Sequence, residues 1–135
     1  NLQNLICCLK LDKKILLKGW IKNTDKYYLK SKIFVLTSLY EGLGNVFIDA
    51  VNNELPSIYT KCRSGPDEIF DNKKGAYQIS IKDYVGLSKK LELCLKNYRK
   101  SLSKVLYAKK KINRFYYKTT CPLYLNYLKK INSKI

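Results

Sequence analysis

The chain has 135 residues, 46% of them hydrophobic, enough for one domain with a real core and with little room for a second. Lys and Arg number 27 against 10 acidic residues, a net charge of +17; there is no histidine, which excludes Ser-His-Asp and Cys-His nucleophiles and histidine metal ligands. The cysteines, Cys7, Cys8, Cys62, Cys94 and Cys121, are odd in number and lack C-x-x-C spacing, which argues against a disulfide framework or a zinc site and predicts buried, reduced thiols in the cytosol.

Leu2, Leu5, Ile6 and Leu9 recur at helical spacing, so the sequence opens inside an amphipathic helix. With no methionine anywhere, that opening predicts a piece of a longer polypeptide. Ile15-Leu16-Leu17 and Ile33-Phe34-Val35-Leu36 are short apolar runs that read as buried strands, and Thr24-Asp25 caps a short helix between them through Tyr27, Tyr28 and Leu29. Asn45 opens a helix carrying Val46, Phe47, Ala50 and Val51, and Pro56 precedes a strand at Ser57-Ile58-Tyr59. Gly65-Pro66 starts a short helix ending near Phe70, and a strand follows around Ala76-Tyr77-Gln78-Ile79. Strands alternating with helices across short loops predict a Rossmann-like α/β domain, a parallel sheet with helices on both faces, spanning residues 1–135 as a single unit.

From Asp83 onward the strands stop. Leu91, Leu95, Tyr98, Leu102 and Val105 line one face of a helix, and Thr120 and Pro122 mark a new helix start with Leu123, Tyr127, Leu128 and Ile131 along one side. No acidic residue follows Glu92, while residues 93–135 carry 12 Lys or Arg. Such a tail attracts nucleic acid, an anionic membrane surface or a phosphorylated substrate. A coding bias toward Lys, Asn, Ile and Tyr produces the same excess, so the charge alone leaves polyanion binding and a solvated face both open. No apolar run is long enough to cross a bilayer, and no signal-peptide pattern is visible.

The stretch from Ser38 to Ile69 carries the chemistry. Glu41, Gly42 and Gly44 follow a buried strand and lead into the helix at Asn45, which puts a glycine-containing turn at the carboxyl end of a parallel strand, where open α/β sheets bind ligands. Glycine lets a backbone approach a ligand closely, and the free N–H groups of a helix start receive a diphosphate. Asp49 lies one turn behind Asn45 on the same face, where its carboxylate can accept from two ribose hydroxyls; Glu41 stands nearer to a group beyond the diphosphate.

Glu41 and Asp49 are separated by seven residues, Leu55-Pro56 steps into the next strand, and Ser64-Gly65-Pro66-Asp67-Glu68-Ile69 follows. In order, spacing and context this resembles the donor-binding signature of retaining GT-B-fold glycosyltransferases of the family 4 type, the glycosyl transferases group 1. The resemblance runs from the opening helix to the region of Leu95. It implies one half of a GT-B fold, the C-terminal nucleotide-sugar-binding half, with the N-terminal acceptor domain absent. It implies transfer of a hexose or N-acetylhexosamine from a UDP-linked donor to a glycan or lipid-linked acceptor, without a metal or other cofactor and with retention of configuration. Glu41 then matches the catalytic position near the donor sugar and Asp49 the ribose-binding position. Gly42, Gly44, Asn45, Val46, Ser64, Gly65 and Glu68 match positions lining the donor cleft. Bacterial relatives with the S-G-P-x-E-I pattern build surface polysaccharide, lipopolysaccharide or lipid-linked oligosaccharide at the cytoplasmic face of a membrane, which the basic tail suits.

Three departures stand out: Asp49 is one methylene shorter than the usual Glu, Glu54 stands where the family has Gly, and no basic pair for the donor phosphates precedes Gly19. The alternatives are a non-catalytic fragment and a basic scaffold in which Tyr98, Tyr107, Tyr116, Tyr117, Tyr124 and Tyr127 stack on single-stranded nucleic acid; several of these tyrosines fall on apolar helix faces instead.

Overall fold

The computed structural model describes residues 1–62 and 65–132. Three strands, β1 (Phe34–Leu36), β2 (Ser57–Thr60) and β3 (Tyr77–Ile79), form a parallel sheet in the order β1-β2-β3. The register aligns Val35, Ile58 and Tyr77 in one row and Leu36, Tyr59 and Gln78 in the next. Because successive residues of a strand face opposite ways, these rows feed two separate cores. Phe34, Leu36 and Tyr59 join Phe47 and Val51 of α3 (Asn45–Asn52), and Val105 and Ala108 of α6 (Tyr98–Lys109), on one face. Val35, Ile58, Tyr77 and Ile79 meet Leu87, Leu91 and Cys94 of α5 (Tyr84–Lys96) on the other. Every residue of β2 is buried, as expected for a central parallel strand covered on both faces.

The remaining elements are α1 (Leu2–Cys8), α2 (Asp25–Lys30), α4 (Pro66–Ile69), a 3-10 helix at Ile112–Phe115 and α7 (Tyr117–Asn132). The expected α/β class, three of the four expected strands and the helix starts at Asp25, Asn45 and Pro66 are all present. At α2 the capping oxygen comes from Asn23, which accepts the Asp25 N–H at 2.9 Å, and not from Thr24.

Other expectations fail for identifiable reasons. Ile15-Leu16-Leu17 is not a strand; turn bonds from Lys14 and Ile15 to the Leu11 carbonyl bend the chain, and Leu16 is 69% exposed. An apolar run records a preference for burial and does not name a pairing partner. The helical face drawn from Leu91 to Val105 is interrupted at Asn97 (φ −116°, ψ 50°), which separates α5 from α6 and resets the helical phase. Within α5 the buried side runs through Leu87, Leu91 and Cys94 and leaves Leu95 at its exposed edge, and after the break Ser101, Val105 and Ala108 are the buried residues of α6. The last helix begins at Tyr117 and contains Pro122, since the extended Tyr116 offers its carbonyl to the N–H groups of Thr119 and Thr120. Its apolar residues Leu123, Tyr127, Leu128 and Ile131 share a side as expected but are all exposed. Cys62 and Cys94 are buried; Cys7, Cys8 and Cys121 are not.

Glu54 ends the turn after α3 in the left-handed region, φ 56°. An L side chain is strained there by about 1 kcal/mol, which gives a physical reason for glycine at this position. Its carboxylate meets Lys109 Nζ at 2.6 Å on the half-exposed surface, an ion pair worth only about 0–1 kcal/mol. Glu54→Ala loses the pair and keeps the strain, whereas Glu54→Gly loses the pair and relieves it. Urea denaturation should therefore rank the glycine variant above the alanine variant by about 1 kcal/mol; equal midpoints would show that the turn carries no strain.

Candidate functional site

Two glycine turns at the carboxyl edge of the sheet build the site. The first leaves β1 and enters α3 through Gly44, whose φ of 73° and ψ of 64° are left-handed. A Cβ at Gly44 would lie 2.9 Å from the Phe47 ring, so the turn needs both the positive φ and the missing side chain. The Gly44 carbonyl accepts the Phe47 N–H at 2.8 Å, while the N–H groups of Asn45 and Val46 have no backbone partner among the described residues. The second turn leaves β2 and enters α4 through Gly65, φ 80° and ψ −82°, conformation that glycine alone adopts readily. A Cβ there would collide with the Gly42 carbonyl, so the two turns touch backbone to backbone.

The structure thus brings together Glu41, Gly42, Gly44, Asn45 and Gly65. A Glu41 carboxylate oxygen lies 4.0 Å from the position a Gly44 Cβ would take, so its side chain folds back over the turn. Asn45, Val46 and Asp49 lie on the exposed face of α3, opposite the buried Phe47, Ala50 and Val51. Tyr28 on α2 lies near this face, and burial together with the Asp49 charge pushes its hydroxyl pKa up. Glu68 is exposed on α4, and its carbonyl accepts from the Arg114 guanidinium. Ser64 lies outside the described residues.

The fate of the carboxylates is informative in a chain so rich in cations. Asp71 bonds Lys111, Tyr107 and Lys74, which hold its carboxyl far below the usual range, Lys111 contributing most. Glu54 pairs with Lys109 and Glu92 with Lys96. Glu41, Asp49 and Glu68 have no ion pair or side-chain hydrogen bond among the described residues, which leaves their oxygens free to accept from a ligand.

Tyr59, Asp67 and Gln78, which carry no site signal in the sequence, hydrogen-bond to one another where α4 meets the sheet. The structure also holds two cavities. One of about 480 Å³ lies between α4 and the 3-10 helix, walled by Glu68, Asp71, Arg114 and Phe115; another of about 420 Å³ opens at the carboxyl edge between Thr37, Thr60, Lys82 and Tyr84. No local signal marks these residues, because their association depends on strand register and on the packing of α5 and the 3-10 helix.

The family model for glycosyl transferases group 1 matches residues 1–111. The chain belongs to that family. It is 46% identical over 69 residues to an uncharacterised glycosyltransferase of Methanocaldococcus jannaschii, a stretch covering 51% of this chain and 17% of that protein. It is 31% identical over 77 residues, 57% of this chain and 21% of the relative, to an N-acetylgalactosamine-N,N'-diacetylbacillosaminyl-diphospho-undecaprenol 4-alpha-N-acetylgalactosaminyltransferase of Campylobacter jejuni. The matched stretches thus span about a fifth of these relatives' length. Among solved structures, Anabaena HepE in complex with UDP superposes with a TM-score of 0.87 at 18% identity, over 96% of this chain and 36% of that one. That likeness establishes the α/β half of a GT-B fold.

The two glycines predict opposite responses. Gly65→Ala must displace the Gly42 strand of the turn and should cost more than about 2 kcal/mol in urea denaturation. Gly42→Ala meets nothing within 4 Å and should change stability by less than about 0.5 kcal/mol. A Gly65→Ala protein as stable as wild type would refute the backbone contact between the turns.

Proposed function

We propose that this chain binds a nucleotide sugar, UDP-linked, and forms the donor half of a retaining glycosyltransferase that passes a hexose or N-acetylhexosamine to a glycan or lipid-linked acceptor. The observation that carries the reading is the left-handed Gly44 turn into α3, flanked by Glu41 and Asp49, whose carboxylates make no ion pair among the described residues. In this reading the donor diphosphate lies at the N–H groups of Asn45 and Val46, where the start of a helix favours negative charge. Asp49, one turn behind, accepts from the ribose hydroxyls. Gly42 and Gly65 bring backbone close to the donor, with Val46 and Glu68 along the cleft.

Glu41 is the catalytic residue in this scheme. As the bond from the anomeric carbon to the diphosphate breaks, negative charge grows on the leaving oxygen and positive charge on the sugar. The helix start stabilises the first and the Glu41 carboxylate the second, preorganised charge being the main source of rate where no proton relay is at hand. Acceptor binding falls to a second, N-terminal domain. Two similarities support the reading: HepE was solved with UDP, and the Campylobacter relative's name describes a sugar transfer onto a diphospho-undecaprenol carrier.

Among the described residues no helix is long and apolar enough to cross a membrane. In this proposal the reaction lies at the cytoplasmic face of a membrane, a reading supported by the lysine-rich helices after Glu92, which carry no acidic residue and suit peripheral attraction to anionic headgroups. A nucleic-acid scaffold is the competing reading, favoured by the exposure of Tyr117, Tyr124 and Tyr127 beside these lysines.

Calorimetric titration separates the two. UDP and UDP-sugars should bind saturably at moderate salt, and Asp49→Ala should weaken them about tenfold or more through loss of charged hydrogen bonds. Salt-sensitive binding of single-stranded DNA that is indifferent to Asp49→Ala, with no UDP binding, would replace the donor reading by the scaffold.

A further inference from the structure

We propose that Tyr59, Asp67 and Gln78 form a positioning network that fixes the second half of the donor site from beneath, an inference that rests on the donor reading above. Asp67 is the second residue of α4, directly between Gly65 and Glu68. Its Oδ1 accepts the Tyr59 hydroxyl at 2.5 Å and the Gln78 Nε2–H at 2.7 Å, and Gln78 also lies 3.2 Å from the Tyr59 oxygen. Tyr59 and Gln78 are register partners on β2 and β3, so one carboxylate is gripped by two adjacent strands.

The grip matters because α4 is a single turn. A helix of four residues has no stability of its own, and something outside it must define its position. On one side Gly65 rests on the Gly42 carbonyl; on the other the Glu68 carbonyl receives Arg114. Among the described residues, the side-chain hydrogen bonds between α4 and the sheet are those of Asp67, beside the apolar contact of Ile69 and Phe70 with Tyr59. Burial, and next the bond to Asp67, push the Tyr59 hydroxyl pKa well above its ordinary value, so it remains a proton donor throughout the working pH range.

Tyr59 also reaches the first half of the site. Its ring stacks on Phe70, centroids 5.3 Å apart, and meets the edge of Phe47 at 5.9 Å. Phe47 fills the space beside Gly44. One side chain therefore underlies both glycine turns, its ring supporting the Gly44 turn and its hydroxyl holding α4. Tyr59, Asp67 and Gln78 act through Gly65 and Glu68 and are positioning residues.

Tyr59→Phe, Asp67→Ala and Asp67→Asn in the full 135-residue chain test this by two measurements: amide hydrogen exchange across residues 65–70, and UDP affinity by calorimetry. Tyr59→Phe keeps the ring and removes the hydroxyl's bonds to Asp67, Gln78 and the Asn72 carbonyl, Asp67→Ala removes the two bonds that the carboxylate accepts, and Asp67→Asn keeps the accepting oxygen while removing the charge. The first two should speed exchange of the turn and weaken UDP binding by about tenfold, as expected for a lost bond to a charged group, while Asp67→Asn stays within about threefold of wild type. Faster exchange with undiminished UDP affinity would reduce the network to a structural tether. An Asp67→Asn as damaging as Asp67→Ala would move the role to the carboxylate charge and overturn positioning. Unchanged exchange in Tyr59→Phe and Asp67→Ala overturns the network whatever UDP does. A wild-type chain that takes no UDP overturns the donor reading, and this inference with it, while the exchange data still report whether α4 is held.

Discussion

Phe47, Tyr59 and Phe70 pack ring against ring at centroid distances of 5.1 to 5.9 Å, and most of what surrounds them follows from that contact. The three come from α3, from β2 and from the end of α4, so their burial fixes a helix and a turn against the central strand at once. Phe47 and Phe70 are fully buried and Tyr59 nearly so, and rings of this size dominate the energetics of a small core. The edge-to-face arrangement also gives the contact a preferred geometry, which aliphatic side chains would not impose. Both glycine turns are suspended from it.

Glycine is used at Gly44 and Gly65 for the same reason in two forms. Each has a positive φ, and each has a neighbour where a Cβ would go: the Phe47 ring in one case and the Gly42 backbone in the other. The result is a strip of backbone from two loops at the carboxyl edge of a parallel sheet, flanked by carboxylates that the abundant lysines do not engage. With 27 cationic side chains available, most acidic groups elsewhere in the core of the fold are bonded: Asp71 to Lys111, Glu54 to Lys109, Asp67 to Tyr59 and Gln78. Asp49 differs because it projects from the exposed side of α3, opposite the Phe47 and Val51 side that packs with α6, and Glu41 because it stands in the turn that leads into that helix.

Those basic helices are not equivalent. α6 is integrated, with Ser101, Val105 and Ala108 buried and Lys104 laid across the carbonyls of Lys73, Lys74 and Ala76. Burial, then the charges of Lys100 and Lys90, lower the Lys104 pKa. α7 buries none of its residues and leaves an apolar row beside Lys129 and Lys130. Charge that reads as one uniform tail in the sequence thus serves a packing role in its first half and lies on an exposed helix in its second.

Elements whose signals are local were legible from the residues: β2 from its apolar run after Pro56, α3 from the periodicity of Phe47, Ala50 and Val51, α4 from Gly65-Pro66. The shared exposed face of Asn45 and Asp49 was legible too, because a helix converts separation along the chain into a shared face. Ile15-Leu16-Leu17 misled because a strand requires a neighbour that no local run specifies. The single face drawn from Leu91 to Val105 misled because the break at Asn97 divides it between two helices without any proline or glycine to announce it. The contact between Gly42 and Gly65 and the meeting of Tyr59, Asp67 and Gln78 were decided by tertiary structure alone, since each joins residues from separate segments whose approach depends on strand register. The sequence by itself determined which segments could form the sheet and where its glycine turns would lie; the register and the packing of α4 decided which side chains meet there, because contacts between distant segments are set by how the whole core closes.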